Sequence, residues 1–355
     1  SKGWGYGYHY DAAGRLRRQD VQVQSRAWTL EQTLDPAGRP LSIQFPDGSR
    51  TTTTYDDAGV LESVDFTEVD GFGRRLVEVT STAGDTRPSQ LSLGPLTFAM
   101  QWTAEGLLTD RTAHIAAGQV DQESVERTAG RFVDGVSGQM APIWDQSFTH
   151  DAAGQLVTAV GGYGAASFAY SEGGDLLEKS GLYYEYDGAG RVVRIAGGQG
   201  VTFAGTYDGG GRLTERQTAA GDDVLGYGAR ERLEEVKKDD VTIATFLYDH
   251  RGHRLYKEEA GVETFYIGEN YEETVHAGGT QWTRYLHAPE GGFGTVSRGV
   301  EVGREGYPAN GDQFFLTDYL GNVRRVFDGA GQLTTVVNYT PYGEMWHVDG
   351  PLSFR

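Results

Sequence analysis

A short unit, aromatic-Asp-x-x-Gly-x-apolar, recurs along the chain and limits its fold more than any other feature. Tyr10-Asp11-Ala12-Ala13-Gly14-Arg15-Leu16 returns as Tyr55-Asp56-Asp57-Ala58-Gly59-Val60-Leu61 and as Tyr186-Asp187-Gly188-Ala189-Gly190-Arg191-Val192. It returns again as Tyr207-Asp208-Gly209-Gly210-Gly211-Arg212-Leu213 and as Phe327-Asp328-Gly329-Ala330-Gly331-Gln332-Leu333. Weaker copies start at Leu34, His150, Tyr170 and Tyr248, the last carrying Asp249 and Gly252. A degenerate copy from Tyr227 to Leu233 has lost both the Asp and the Gly. Tyr186, Tyr207, Tyr227 and Tyr248 open successive units about twenty residues apart, a period that marks a repeat architecture.

The chemistry of the unit explains its spacing. The aromatic ends one strand, and the Asp can bond its own backbone two residues on. The Gly can take the positive φ that closes a short hairpin loop, and the apolar residue begins the returning strand on the buried face. Between units lie β-rich runs such as Leu182-Tyr183-Tyr184-Glu185-Tyr186 and Val241-Thr242-Ile243-Ala244-Thr245-Phe246-Leu247-Tyr248. Each unit therefore reads as a β-hairpin, and because one hairpin is marginal alone, stability comes from stacking neighbours. The expectation is an all-β chain, a curved ribbon of stacked hairpins. One helical exception is expected from Tyr227 to Asp239, where Ala, Arg, Glu, Leu and Lys dominate. Residues 76–149 are less regular; Gly118 to Gly138 is polar and is expected to contain a longer loop, the stretch being a decorated part of the same sheet.

Composition narrows the function classes. The 52 glycines among 355 residues suit a chain built from turns, and only 10 prolines argue against a proline-rich linker. Charges of 31 basic against 50 acidic residues give a net −19, which disfavours nucleic acid and anionic membranes as partners. That acidity has two open readings, a solubility coat or the lining of an inner, concave surface that holds a basic passenger. With no cysteine there are no disulfides, thiolate metal sites or cysteine nucleophiles. No run reaches the ~18–20 apolar residues of a membrane helix. The first residues lack the basic head and apolar centre of a signal peptide, and both ends read as cut from something longer.

The Tyr-Asp-x-x-Gly-x-Leu units resemble the YD repeats of RHS proteins, a family that includes bacterial polymorphic toxins, insecticidal toxin-complex components and teneurins. The last third adds more specific likenesses. Phe265-Tyr266-Ile267-Gly268, Tyr271-Glu272 and Arg284-Tyr285-Leu286 are similar to the approach to the RHS-associated core. Asp318-Tyr319-Leu320-Gly321-Asn322-Val323-Arg324 resembles that core's D-x-L-G-(S/N)-x-R signature, and Tyr339-Thr340-Pro341-Tyr342-Gly343-Glu344 its Y-x-P-(F/Y)-G-E continuation. The resemblance implies a repeat array over 1–260, irregular at 76–149, and the start of the core over 261–355, truncated before the autoproteolysis motif. It implies part of a hollow shell that encloses a C-terminal toxin domain. The expected partners are that toxin domain or the remaining parts of the same shell, and the expected location is secreted or at the cell surface. The downstream motif that carries the family's self-cleaving carboxylates is missing, so no catalytic role is assigned.

Each chemical reading of the remaining residues has a plainer rival. The repeated Asp11, Asp56, Asp187, Asp208, Asp249 and Asp328 invite a glycosidase-type carboxylate pair, but each has a Gly three positions on, which is a turn position. His250-Arg251-Gly252-His253 beside Asp249 matches no zinc spacing, so neither a metal nor any cofactor is expected. Gly209-Gly210-Gly211 does not join a strand to a helix as phosphate loops do. Arg324 is expected to pair with Asp318 and fix the chain's path. Two functions stay open: a structural, non-enzymatic segment of an encapsulating shell, or a module that binds carbohydrate or a cell-surface receptor through exposed aromatics.

Overall fold

A computed structural model describes residues 3–82, 87–128, 132–138, 145–287, 293–300 and 311–352. Among them there are thirty-two strands, from β1 (Trp4–Tyr10) to β32 (Met345–Asp349), and no helix. Consecutive strands pair antiparallel, as in β1 with β2 (Leu16–Val23), so the chain is an all-β succession of hairpins. Most hairpins that carry the repeat share one irregularity. A bulge lies beside the turn, and the aromatic faces the residue six positions on: Tyr10 opposite Leu16, Tyr186 opposite Val192, Tyr207 opposite Leu213. The unit's Gly sits at that bulge with positive φ, +77° at Gly190 and +82° at Gly211, which is the geometry of a turn closed by a glycine bulge.

The chain divides into two compact units. One combines Ser1–Val125, Ser137–Pro142 and Phe265–Arg355; the other combines Glu126–Val136 and Ile143–Thr264. In the second unit a meander runs from β13 (Gln146–His150) to β24 (Arg254–Glu259), with a sparse core of Phe148, Ala159, Phe168, Ala244, Leu255 and Tyr256. The expected helix at Tyr227–Asp239 is absent. Those residues form the end of β21 (Gly221–Tyr227), a turn, and β22 (Leu233–Lys238). Helix propensity loses here because both strands are paired, β21 with β22 and β22 with β23 (Val241–Tyr248). The degenerate turn is kept by substitution: Gly228 stands in the Asp position and Glu231, at φ +59°, takes the strained glycine position.

In the first unit the N-terminal strands and the strands after Phe265 face each other through side chains. The Trp28 ring lies 5.1 Å from Phe265, and Phe45 lies 6.5 Å from Phe66 and 6.3 Å from Tyr271. Of the polar stretch expected to contain a longer loop, strands β11 (Gly118–Arg127) and β12 (Val133–Ser137) are described, and residues 129–131 between them lie outside the described residues. The buried side of β11, Asp121, Glu123 and Val125, carries two acids where a strand normally shows apolar residues, and this hid the alternation. Of the irregular stretch 76–149, residues 83–86, 129–131 and 139–144 lie outside the described residues.

Candidate functional site

The repeat residues build turns of one kind. In each, the Asp Oδ1 accepts the backbone N–H groups two and four residues on. At Asp187 these are Ala189 at 2.9 Å and Arg191 at 3.0 Å; at Asp208 they are Gly210 at 2.9 Å and Arg212 at 3.0 Å. Asp11, Asp249 and Asp328 are bonded the same way, and Asp56 accepts from Val60 at 2.8 Å. The Gly N–H then donates to the Asp carbonyl, as Gly14 does to Asp11 and Gly59 to Asp56, both at 2.9 Å. Gly252 and Gly331 close their turns on Asp249 and Asp328.

Two further contacts stitch one turn to the next. The Tyr207 hydroxyl donates to the Val192 carbonyl at 2.8 Å, and Tyr227 donates to Leu213 at 2.8 Å; Tyr186 and Tyr170 do likewise to Leu176 and Leu156. Tyr55 reaches Pro40 at 3.2 Å. The residue after the Gly is the second stitch, and sequence reasoning missed it. Arg191 Nε donates to Asp187 Oδ2 at 2.7 Å while its guanidinium lies 4.9 Å over the ring of Tyr207. Arg212 grips Asp208 and covers Tyr227, and Arg39 grips Asp35 and lies 4.4 Å over Tyr55. The signal was present in Gly14-Arg15, Gly38-Arg39, Gly190-Arg191 and Gly211-Arg212, each Arg four residues beyond an Asp. Tyr10 stays exposed, 6.5 Å from Tyr8, and Tyr248 faces Arg254 across its hairpin.

These bonds favour the ionised form at Asp11, Asp187 and Asp208. The side-chain and backbone N–H groups of Arg191 pull Asp187 below the usual aspartate range, and the Arg212 backbone N–H does the same at Asp208. Depressed carboxyls are poor general acids, the opposite of what glycoside hydrolysis asks of one member of its pair. A pKa lower in the folded state stabilises the fold above the unfolded aspartate value of about 3.9, and that stability is lost as pH falls below it. Asp187→Asn and Asp208→Asn are therefore expected to flatten the acid limb of a melting-temperature profile below about pH 4. An acid limb identical to the parent's would contradict the assignment.

Positive φ calls for the glycine of these turns, and at some of them a close neighbour adds a second reason. A Cβ on Gly59 would meet the Arg39 guanidinium and one on Gly252 that of Arg232, whereas one on Gly190 meets nothing within 4 Å. Gly190→Ala should thus carry only the backbone cost of positive φ, about 1 kcal/mol. Gly59→Ala should cost more, because Arg39 must leave either Asp35 or Tyr55. Equal losses in chemical denaturation would show that the stacked guanidinium contributes nothing.

The core-like motif follows the same turn logic with apolar tips. Asp318 Oδ1 accepts from Leu320 and Asn322, Gly321 has φ +89°, and Leu320 is exposed. In the turn after Tyr339, Thr340 replaces the Asp, Pro341 and Tyr342 form the tip, and Gly343 has φ +85°. Arg324 does not pair with Asp318, whose Oδ2 is taken by the Asn322 amide at 2.9 Å. It reaches across the first unit instead: Nη2 donates to Asp121 Oδ1 at 2.6 Å, and Nη1 lies 3.6 Å from Glu123. Arg325 Nε donates to the same Asp121 oxygen at 2.7 Å, and Arg111 pairs with Glu123 at 2.6 Å. Burial opposes the Arg324 charge, but Asp121 and Glu123 outweigh it and hold its pKa above the ordinary value.

Among the described residues no group of three or more His, Cys, Asp or Glu is placed to hold a metal ion. His253 Nδ1 lies 3.2 Å from Asp249 Oδ2, within its own turn. No helix among the described residues is long and apolar enough to cross a membrane.

Residues 186–223, which hold the Asp187 and Asp208 turns, match the RHS repeat family model. No curated protein matches the chain. Among solved structures the chain is similar to the TcdB2-TccC3 crystal structure, at 14% identity and a TM-score of 0.80 over 96% of this chain and 20% of that one. It is similar to a Photorhabdus luminescens Tc holotoxin pore, at 14% identity and a TM-score of 0.79 over 95% of this chain and 20% of that one. A third likeness is to TcdB2-TccC3 without its hypervariable C-terminal region, at 14% identity and a TM-score of 0.77, with coverage of 96% and 20%. The chain spans about a fifth of the length of the structures it matches.

Proposed function

We propose that this chain, which carries RHS repeats on the fold seen in toxin-complex structures, is a structural segment of an RHS shell that encloses or delivers a C-terminal toxin domain and performs no catalysis of its own. One observation carries the reading furthest: the carboxylates that recur along the chain are engaged in turn hydrogen bonds, so the repeated chemistry goes into architecture. The similar structures belong to toxin assemblies, one of them solved without a hypervariable C-terminal region, which supports a variable passenger at that end of that protein. In this reading residues 1–260 are repeat array and 261–355 the beginning of the associated core. The turn and core-motif residues are structural, and the protein works outside the cell or at its surface.

The test is protection. The toxin domain of the same parent protein, mixed with or fused to this chain, should survive a protease dose that destroys it alone. Equal digestion in both cases ends the encapsulation reading. Repeating the assay across salt separates the two uses of the −19 charge, because a weak electrostatic hold is screened within about 8–10 Å at ordinary ionic strength. Release as salt rises supports an acidic lining, and salt-independent protection supports a solubility coat. The carbohydrate- or receptor-binding alternative draws on exposed aromatics such as Tyr183 and Tyr10. A glycan array on which Tyr183→Ala and Tyr10→Ala abolish a selective signal would favour it.

A further inference from the structure

We propose that the buried cluster of Arg111, Asp121, Glu123, Arg324 and Arg325 sets the register in which the core-motif strands seat on the N-terminal strands of the first unit, and that it contributes little net stability. Every member is buried, and Arg111, Asp121 and Glu123 are almost wholly so. The contacts join segments about two hundred residues apart in sequence, β10 (Leu108–Ile115) and β11 on one side and β30 (Val323–Asp328) with its preceding turn on the other. The backbone takes part too: Arg111 donates to the Thr317 carbonyl, and the Tyr319 N–H donates to Glu123 Oε1 at 3.2 Å.

A local device aims the two arginines. Neighbours on a regular strand point to opposite faces, yet Arg324 and Arg325 converge on one oxygen of Asp121. Thr317 pairs with Val323 and Leu316 with Arg325, so Arg324 is the extra residue of a bulge. A bulge re-aims side chains in this way.

The surroundings explain why a register device is needed. Phe314, Leu316 and Phe327, which share the face of Arg325 in the β29–β30 pairing, are buried and apolar. A slip by two residues along a strand keeps the same side chains facing inward, so an apolar interface alone distinguishes such slips poorly. With the cluster in place, the same slip would leave Asp121 and Glu123 buried against apolar groups, a heavy cost for unpaired charge. The correct register itself gains little, since the desolvation of a buried ion pair largely cancels its attraction.

The test compares three variants of the full chain. Asp121→Asn should lower the denaturation midpoint of the first unit, because it weakens the partner of two buried guanidinia. The apolar replacement Arg111→Met/Asp121→Leu/Glu123→Leu/Arg324→Met/Arg325→Met should keep the parent midpoint or exceed it. It should also lose uniqueness, with second sets of first-unit amide signals at about a tenth of the main intensity or more and unchanged signals from residues 186–223. Arg111→Met/Glu123→Leu, which keeps Asp121 and both C-terminal arginines, should retain both the midpoint and the single set of signals. A five-fold variant with one sharp set of signals overturns the register role. One that unfolds below Asp121→Asn, or does not fold, overturns the claim of little net stability.

Discussion

Replacing Phe66 with Ala is expected to cost the first unit about 3–5 kcal/mol of unfolding free energy. Phe66 lies on β6 (Leu61–Thr67) and is fully buried. The Arg74 and Arg284 guanidinia lie over its ring at 4.7 and 4.9 Å. Each is tied to the other side of a contact between distant segments. Arg74 Nη2 donates to Asp312 at 2.6 Å, and Arg284 Nε donates to Asp47 at 2.8 Å. The ring is thus the apolar platform on which two cross-links between the N-terminal strands and the strands after Phe265 rest. Truncation opens a cavity and also strips a cation–π partner from the buried Arg284 and the half-buried Arg74, a contact worth about 2 kcal/mol where water is excluded. Phe66→Leu keeps most of the volume and should cost much less. Denaturation followed by hydrogen exchange should show the loss in first-unit amides while those of residues 186–223 stay protected. A loss below about 1 kcal/mol would mean that the two segments are held together elsewhere.

What could be read in advance divides by sequence distance. The turns were legible because everything that makes them lies within a few residues: the Asp187 carboxylate, the amides it accepts and the Gly190 backbone are neighbours in the chain. Even the overlooked Arg191 clamp is local, and its constant offset from Asp187 carried the signal. Tyr227–Asp239 misled because composition speaks for helix, while the deciding fact is hydrogen bonding to strands on both sides. The buried cluster was invisible for a different reason. Asp121 and Glu123 make β11 look solvated, and the arginines that neutralise them stand some two hundred positions away. The expected pairing of Arg324 with Asp318 fails because Asn322 already occupies that nearby carboxylate.

Gly94→Val is expected to be the most damaging single change at a loop. Gly94 and Pro95 join β8 (Pro88–Leu93) to β9 (Leu96–Trp102), and the flanking Leu93 and Leu96 are fully buried. The Gly94 N–H donates to the Leu76 carbonyl at 2.8 Å, and its φ is +55°. A positive first φ followed by the fixed negative φ of proline is the sign pattern of a type II′ hairpin turn, which calls for glycine at its first central position. A second constraint comes from across the unit, where any Cβ at Gly94 would land on the ring of Phe314, itself 2% exposed. Forcing that ring aside should cost about 1–3 kcal/mol as overpacking, and the left-handed backbone should add about 1–2 kcal/mol for a residue with a side chain. The two parts can be separated. In a Phe314→Leu background the ring is gone, so Gly94→Val should retain only the backbone part of its cost. If denaturation gives the same penalty in both backgrounds, Phe314 does not press on the turn. The close approach of the N-terminal hairpin to β29 (Gly311–Thr317) would then not be a feature of the folded protein.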